Sequence, residues 1–213
     1  GDTNGAVKNY KKAVRLNPKS FNSFFQLGFI RMQKGHYSTA IKCFKRAARI
    51  QPDNIAVLCN IGQIFQNKGS RYYTESLRYY SKALKINPTH SFALAAKLHL
   101  CALTCDWGEI ENLRLQLPSI GTSEGVVAPF SLLALEDAPA RHKIRAERYC
   151  AAEFSSGNLP NFVMPLVAPK KLKIGYFSGD FHLHPVSTLI SSVLESHSEN
   201  DFEIYAYSIG NKR

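Results

Sequence analysis

Three prolines frame the first half of this 213-residue chain. Pro18, Pro52 and Pro88 close segments of one kind: Ala13-Val-Arg-Leu-Asn-Pro18, Ala47-Ala-Arg-Ile-Gln-Pro52 and Ala83-Leu-Lys-Ile-Asn-Pro88, spaced 34 and 36 residues apart. Twelve residues before each proline stands a small residue (Ala6, Ala40, Ser76), and eight before it an aromatic one (Tyr10, Phe44, Tyr80). Leu27-Gly28 and Ile61-Gly62 each precede a turn glycine, Gly35 or Gly69. A fixed period of this length implies stacked two-helix units, each of which needs its neighbours to bury an apolar face. Gly28 and Gly62 are expected to let the first helix approach Ala40 or Ser76 of the second, with the aromatic ring filling space toward the next repeat. Each proline then ends a second helix. The two additional residues of the third repeat are expected within Ser70-Arg71-Tyr72-Tyr73, between its helices, where insertion costs least.

The pattern is similar to the tetratricopeptide (TPR) repeat: a partial first repeat, two complete ones and a degenerate fourth from Ser91, with Leu94, Leu98 and Cys101 on one stripe, together residues 1–105. Arrays of this kind bind extended peptides on the face built from the first helices. Asn60 stands just before Ile61-Gly62, and Gln26 holds the equivalent place before Leu27-Gly28. An amide there can pair bidentately with a peptide backbone without reading its side chains, or simply be a solvated polar group. A carboxylate clamp would need Lys, Asn and Arg on this face, and Phe25, Phe29, Phe92 and Ala96 stand there instead.

The net charge of +11 divides unevenly. Residues 1–100 hold 17 Lys and Arg against 3 acids, giving +14, while the remainder holds 10 against 13, giving −3. The +14 is expected in a groove suited to acidic or neutral peptides. Nucleic-acid binding by this half is disfavoured, since its aromatic residues mostly occupy repeat-core places. No apolar run reaches the ~18 residues that a membrane span needs, so no membrane partner is expected. Five cysteines with no C-x-x-C pair imply a reducing compartment, the cytoplasm, or also the nucleus in a eukaryote. Cys101 and Cys105 are expected to share a helix face, as buried small side chains rather than a metal site. The first residues, Gly1-Asp2-Thr3-Asn4, contain neither Met nor a basic-then-apolar leader, and the chain is read as a piece of a longer one.

Residues 106–171 read as a helical connector and linker: helices over Trp107 to Leu117, Phe130 to Leu135 and Ala140 to Phe154, the last with Ala146, Tyr149 and Cys150 on one face, then a loose stretch from Ser155 to Lys171. From residue 172 to 213 the pattern becomes strand, helix, strand: Leu172 to Ser178, Val186 to His197, and Phe202 to Ser208. That is the opening unit of a doubly wound α/β domain, whose chemistry sits beyond the carboxyl ends of its strands. The segment there, Ser178-Gly-Asp-Phe-His-Leu-His-Pro-Val-Ser187, puts His182 and His184 at the start of a helix whose free N–H groups favour an anion. Such a His either acts on substrate or caps the helix. There is no G-x-G-x-x-G and no P-loop, so no dinucleotide or NTP site is indicated.

The repeats, the tripeptide Cys105-Asp106-Trp107, Pro129-Phe130, and the run from Lys173-Ile-Gly-Tyr-Phe-Ser-Gly-Asp-Phe-His182 through Leu-His184-Pro-Val-Ser187 to Phe202-Glu-Ile-Tyr-Ala-Tyr-Ser208 together resemble the O-GlcNAc transferase family. The resemblance implies a mostly α fold: a TPR superhelix, a connector, and the first βαβ unit of a GT-B domain with two Rossmann-like halves. It implies transfer of N-acetylglucosamine from UDP-GlcNAc to Ser or Thr of acceptor proteins, with no cofactor and no metal. It further implies that His184 lines the active site as a possible base, with His182 beside it, and that Asn60 belongs to an asparagine ladder holding the acceptor. Gln26 replaces one ladder asparagine, and Thr188 stands where relatives often carry a second His. Related O-fucosyltransferases usually lack the proline that follows the His, so Pro185 and Cys105-Asp106-Trp107 favour GlcNAc. The second Rossmann half, which binds the uridine and diphosphate in this family, is expected beyond Arg213, so no donor-binding residue is assigned and the piece alone is expected to be inactive. The rival reading is a non-catalytic TPR scaffold with a degenerate α/β tail.

Overall fold

A computed structural model of the chain describes residues 3–154 and 170–210, in two compact units, residues 1–156 and 157–213. The expected linker, except Lys170 and Lys171, and both chain ends fall outside the described residues. Among the described residues the fold is mostly helical with one small parallel sheet.

The first unit opens with α1 (Thr3–Leu16), the second helix of a repeat, followed by the pairs α2 (Phe21–Gln33) with α3 (Tyr37–Ile50) and α4 (Ile55–Asn67) with α5 (Tyr73–Ile86). A 3-10 turn at Ser70–Tyr72 absorbs the two additional residues of the third repeat. Then come α6 (Ser91–Leu103) and α7 (Trp107–Leu113), the pair of the degenerate repeat. Each first helix begins three residues after the repeat proline, on a side-chain cap two residues after it. Ser20 accepts from the N–H of Ser23 (3.3 Å), Asn54 from Val57 (3.2 Å), and the His90 ring nitrogen from Ala93 (3.3 Å). Each such bond satisfies one amide that the helix leaves without an internal partner. His90 does this only while Nδ1 is unprotonated, and burial holds its pKa below the ordinary histidine value.

The core runs between the helices as Ala40, Phe44, Ala47, Val57, Ile61 and Ile64, then Leu58, Tyr80, Ala83, Ala93 and Leu100. The glycines serve a second neighbour besides the expected one. A β-carbon on Gly28 would stand 2.9 Å from the Phe44 ring, and one on Gly62 would stand 2.8 Å from the Tyr80 ring. Each glycine therefore seats the aromatic side chain of its own repeat. Ser76 meets Gly62 by donating its buried hydroxyl to that carbonyl at 2.7 Å. A ring needs the flat surface that only a missing β-carbon leaves.

The connector departs from the expected helices. Helix α7 ends at Leu113 and a 3-10 turn follows at Arg114–Gln116; residues Pro129–Leu132 form only a 3-10 turn. Cys105 lies beyond the end of α6 with φ +55, exposed, so it shares no helix face with buried Cys101, whose thiol burial pushes up to about 11. Helix α8 (Pro139–Glu153) turns Arg145 inward, 1% exposed, while Cys150 is exposed and Ala146 and Tyr149 are only half-buried. Arg145 donates to the carbonyls of Leu117 (2.7 Å) and Ile120 (2.8 Å) and pairs with Glu136, whose other oxygen accepts from Arg141 at 2.7 Å. Burial alone would raise the Glu136 pKa, and these arginine bonds lower it further than burial raises it. A buried, hydrogen-bonded guanidinium ties this irregular segment together beside the apolar cluster of Leu117, Ile120, Val127 and Leu132.

The second unit contains β1 (Leu172–Ser178), α9 (Pro185–Glu195) and β2 (Phe202–Ser208). The strands pair in parallel from Leu172 opposite Phe202 to Ser178 opposite Ser208. The crossover through α9 makes this a βαβ unit.

Candidate functional site

The loop after β1 is built by its own short hydrogen bonds. The Asp180 amide donates to the Ser178 hydroxyl at 3.0 Å, and the His182 amide to the Asp180 carbonyl at 2.8 Å. The Ser187 hydroxyl reaches back from the first turn of α9 to the carbonyls of Asp180 and His182, the latter at 2.6 Å. Beside it, Gly179 and Gly210 bring the ends of the two strands into backbone contact; a β-carbon on Gly210 would collide with the Gly179 carbonyl. The loop is thus pinned at both ends, and its tip, Leu183, is fully exposed.

His184 is the N-cap of α9, with extended backbone (φ −149, ψ 148) and Pro185 following at the first helical position. Its Nδ1 accepts from the Val186 amide at 3.2 Å. That bond places the ring proton on Nε2, a donor with no partner among the described residues, on a side chain 40% exposed. The Asp180 carboxylate lies 4.0 Å from Nδ1, too far for a hydrogen bond. The His182 ring is exposed, with its centroid 5.7 Å from that of His184. The two imidazoles predicted from sequence are therefore side by side.

The expected free amides are not there. Pro185 has no N–H, Val186 donates to the His184 ring, and Ser187 and Thr188 donate to the His184 carbonyl at 3.0 and 3.4 Å. An anion at this end of α9 would meet the imidazoles of His182 and His184 rather than backbone.

Gln26 and Asn60 lie eight residues after Pro18 and Pro52, on α2 and α4, helices that pack directly against each other. Both are partly exposed, and neither side-chain amide has a hydrogen-bond partner among the described residues. The same place in α6 is Ala96, 9% exposed, so the row of amides stops there. Phe25 packs edge-on against Phe44, with ring centroids 5.7 Å apart, and so belongs to the repeat core.

The charge of this face differs from the expected one. Helices α2, α4 and α6 carry only Arg31 and Lys97, and Lys97 pairs with Glu109 at 2.6 Å. Eleven cations sit instead on the second helices α1, α3 and α5, with Glu75 as their one acid. The groove side is near neutral, and the +14 belongs mostly to the opposite helices. Summing over the half hid this, although the repeat register alone could have sorted the charges by helix.

Residues 1–35 and 30–69 match the family described as TPR repeat, residues 55–90 that described as tetratricopeptide repeat, and residues 115–212 that described as glycosyl transferase family 41. Among curated proteins, a probable UDP-N-acetylglucosamine–peptide N-acetylglucosaminyltransferase of Arabidopsis thaliana is 32% identical over 133 residues, covering 53% of this chain and 13% of that protein. Anaphase-promoting complex subunit 3 of Schizosaccharomyces pombe is 29% identical over 113 residues, 51% of this chain and 17% of that one. Superkiller complex protein 3 of Homo sapiens is 32% identical over 85 residues, 40% of this chain and 5% of that one. The chain thus spans less than a fifth of the length of these relatives. Among solved structures, an O-GlcNAc transferase mutant from Thermobaculum terrenum is 19% identical, with TM-score 0.45 over 100% of this chain and 35% of that one. The crystal structure of MamA is 15% identical, with TM-score 0.49 over 71% of this chain and 87% of that one.

Proposed function

We propose, from the premise that this chain belongs to the O-GlcNAc transferase family by its TPR repeats and its glycosyl transferase family 41 segment, that the intact protein transfers N-acetylglucosamine from UDP-GlcNAc to Ser or Thr of acceptor proteins. The observation that carries the reading is the position of His184. It stands at the carboxyl end of β1, where α/β sheets hold their ligands, on a loop pinned by Ser187 and within the family 41 segment. In this reading the Nε2–H donates to an oxygen of donor or acceptor and orients it, with His182 as a second donor at the same mouth. To serve as a base through Nδ1, the ring would have to give up the bond that caps α9.

The first helices present the acceptor in this reading. Gln26 and Asn60, 34 residues apart in sequence and at the same repeat position, offer unpartnered amides on a nearly uncharged face, which suits backbone recognition of many sequences. The donor is held outside this chain, in a GT-B partner half, and transfer proceeds without a metal or cofactor in the cytoplasm or nucleus.

The test is release of UDP by the intact protein with an acceptor peptide. His184→Ala should lower kcat at least tenfold, as loss of a positioned donor does, and unchanged turnover would remove His184 from the reaction. Asn60→Ala should raise the peptide KM with little change in kcat. Turnover should survive EDTA. Transfer from GDP-fucose in place of UDP-GlcNAc would replace the donor assignment, and absence of any UDP-sugar binding would favour a scaffold.

A further inference from the structure

Cations of α3 and α5 flank a groove that the transferase reading does not use. It lies between α3 and α5, about 450 Å³ in volume, with Leu58 and Ile61 of α4 at its base. Ala48, Pro52, Tyr79 and Ile86 complete an apolar lining, and Lys45, Arg49, Lys82 and Lys85 stand exposed along its walls. Asp53 is the one acid that lines it. A second hollow of about 380 Å³, lined by Phe24, Lys42, Cys43 and Arg46 as well as Lys45 and Arg49, continues it along the other side of α3. Among the described residues, no cation of α3 or α5 is paired with a carboxylate.

Seven like charges on two helices raise the potential of this face, and each pays in self-repulsion unless an anionic partner arrives. The apolar lining adds a second requirement, because phosphates alone would leave it unfilled. We propose that this groove docks an acidic peptide segment of a partner protein, with carboxylates on the lysine and arginine walls and one bulky aliphatic or aromatic side chain on the Leu58–Ile61 base.

A single-stranded nucleic acid is the competing occupant, and the aromatic geometry disfavours it. Tyr79 is already stacked on Phe65, with centroids 5.7 Å apart and planes 19° from parallel, and it carries Lys82 and Arg78 within 5.7 and 5.5 Å of its centroid. The ring is committed within the protein and is not presented as a platform for a base. A peptide needs no such platform, since its carboxylates meet the cations while its side chain enters the hollow.

The experiment uses the whole chain and a fluorescein-labelled 12-residue peptide in which Glu and Asp flank a central Leu-Phe, read by fluorescence anisotropy at fixed salt. Arg49→Glu with Lys82→Glu should weaken binding at least tenfold. Lys11→Glu with Lys12→Glu, on α1 away from the groove, should weaken it less than threefold. Replacing the central Leu-Phe by Ser-Ser should cost at least fivefold, which a purely electrostatic surface would not register. Equal losses at the two sites, indifference to the central pair, or no binding would each overturn the proposal. So would tighter binding of a 20-residue oligouridine, which would give the face to nucleic acid. The variants change exposed residues, and unchanged thermal melts followed by circular dichroism separate lost docking from lost folding.

Discussion

The two units of this protein bury side chains very differently. Among the described residues, every buried hydrophobic side chain lies between Leu27 and Ala138, in the repeat unit, and none lies in the βαβ unit. There Leu172 is 55% exposed, Phe177 66% and Leu189 78%, although the strands pair in full register and Phe177 stacks on Tyr207 at 4.6 Å. A two-helix repeat covers its apolar face with the next repeat in the chain, so a few repeats suffice. A parallel sheet needs cover on both faces, and two strands with one helix supply it for neither in full. Backbone hydrogen bonding and a hydrophobic core are thus separable achievements, and among the described residues the buried core lies in the repeat unit.

The sharpest way to break this contrast is at Arg145, where the repeat unit buries a charge beside its apolar side chains. Arg145→Ala should cost about 3–5 kcal/mol, the usual loss when a buried ion pair is broken, read as a fall in urea midpoint. A loss under about 1 kcal/mol, the range of an exposed pair, would show that the residue is not structurally required. Next in size, amide exchange should separate the units. Amides of β1, β2 and α9 should exchange at least tenfold faster than those of α4 and α5, a gap of about 1.4 kcal/mol or more, and equal protection would refute the contrast in burial.

Glycines allow a finer test. Gly62→Ala should destabilise the repeat unit by about 1–3 kcal/mol through overpacking against Tyr80. Gly179→Ala, whose added carbon would come no nearer than 3.8 Å to anything, should stay within about 0.5 kcal/mol. The smallest effect is on pH. Because the folded-state pKa of His90 lies below its unfolded value, its contribution to stability is complete above the unfolded pKa of about 6.5. It is lost as pH falls from there through the folded pKa, where the unfolded state binds more protons. His90→Asn, which keeps a cap that does not titrate, should flatten the thermal-melt profile over that window by about 1 kcal/mol or less.

Much of this architecture was legible because its causes are local. Prolines at fixed spacing, a glycine under the Phe44 and Tyr80 rings, and short aromatic-rich runs bounded by Gly and Asp act within a few residues, so the repeat helices and both strands fall where the pattern puts them. The connector was less legible because it is held by a contact between residues 25 and 28 positions apart, the Arg145 guanidinium on the Ile120 and Leu117 carbonyls. No period marks a buried arginine. At the candidate site, the position of His184 beside His182 could be read, but the direction of its ring could not. Its hydrogen bond to Val186 depends on a χ angle, and with that bond the expected free amides of α9 disappear.

That ring divides two duties between its two nitrogens, one closing a helix and the other left without a partner among the described residues. Loss of activity in an alanine variant would therefore confound a frayed helix with a missing donor. Asparagine can close a helix through its side-chain oxygen but is too short to reach outward as imidazole does. An enzyme with His184→Asn that melts like the parent and no longer turns over would assign the chemistry to Nε2 alone.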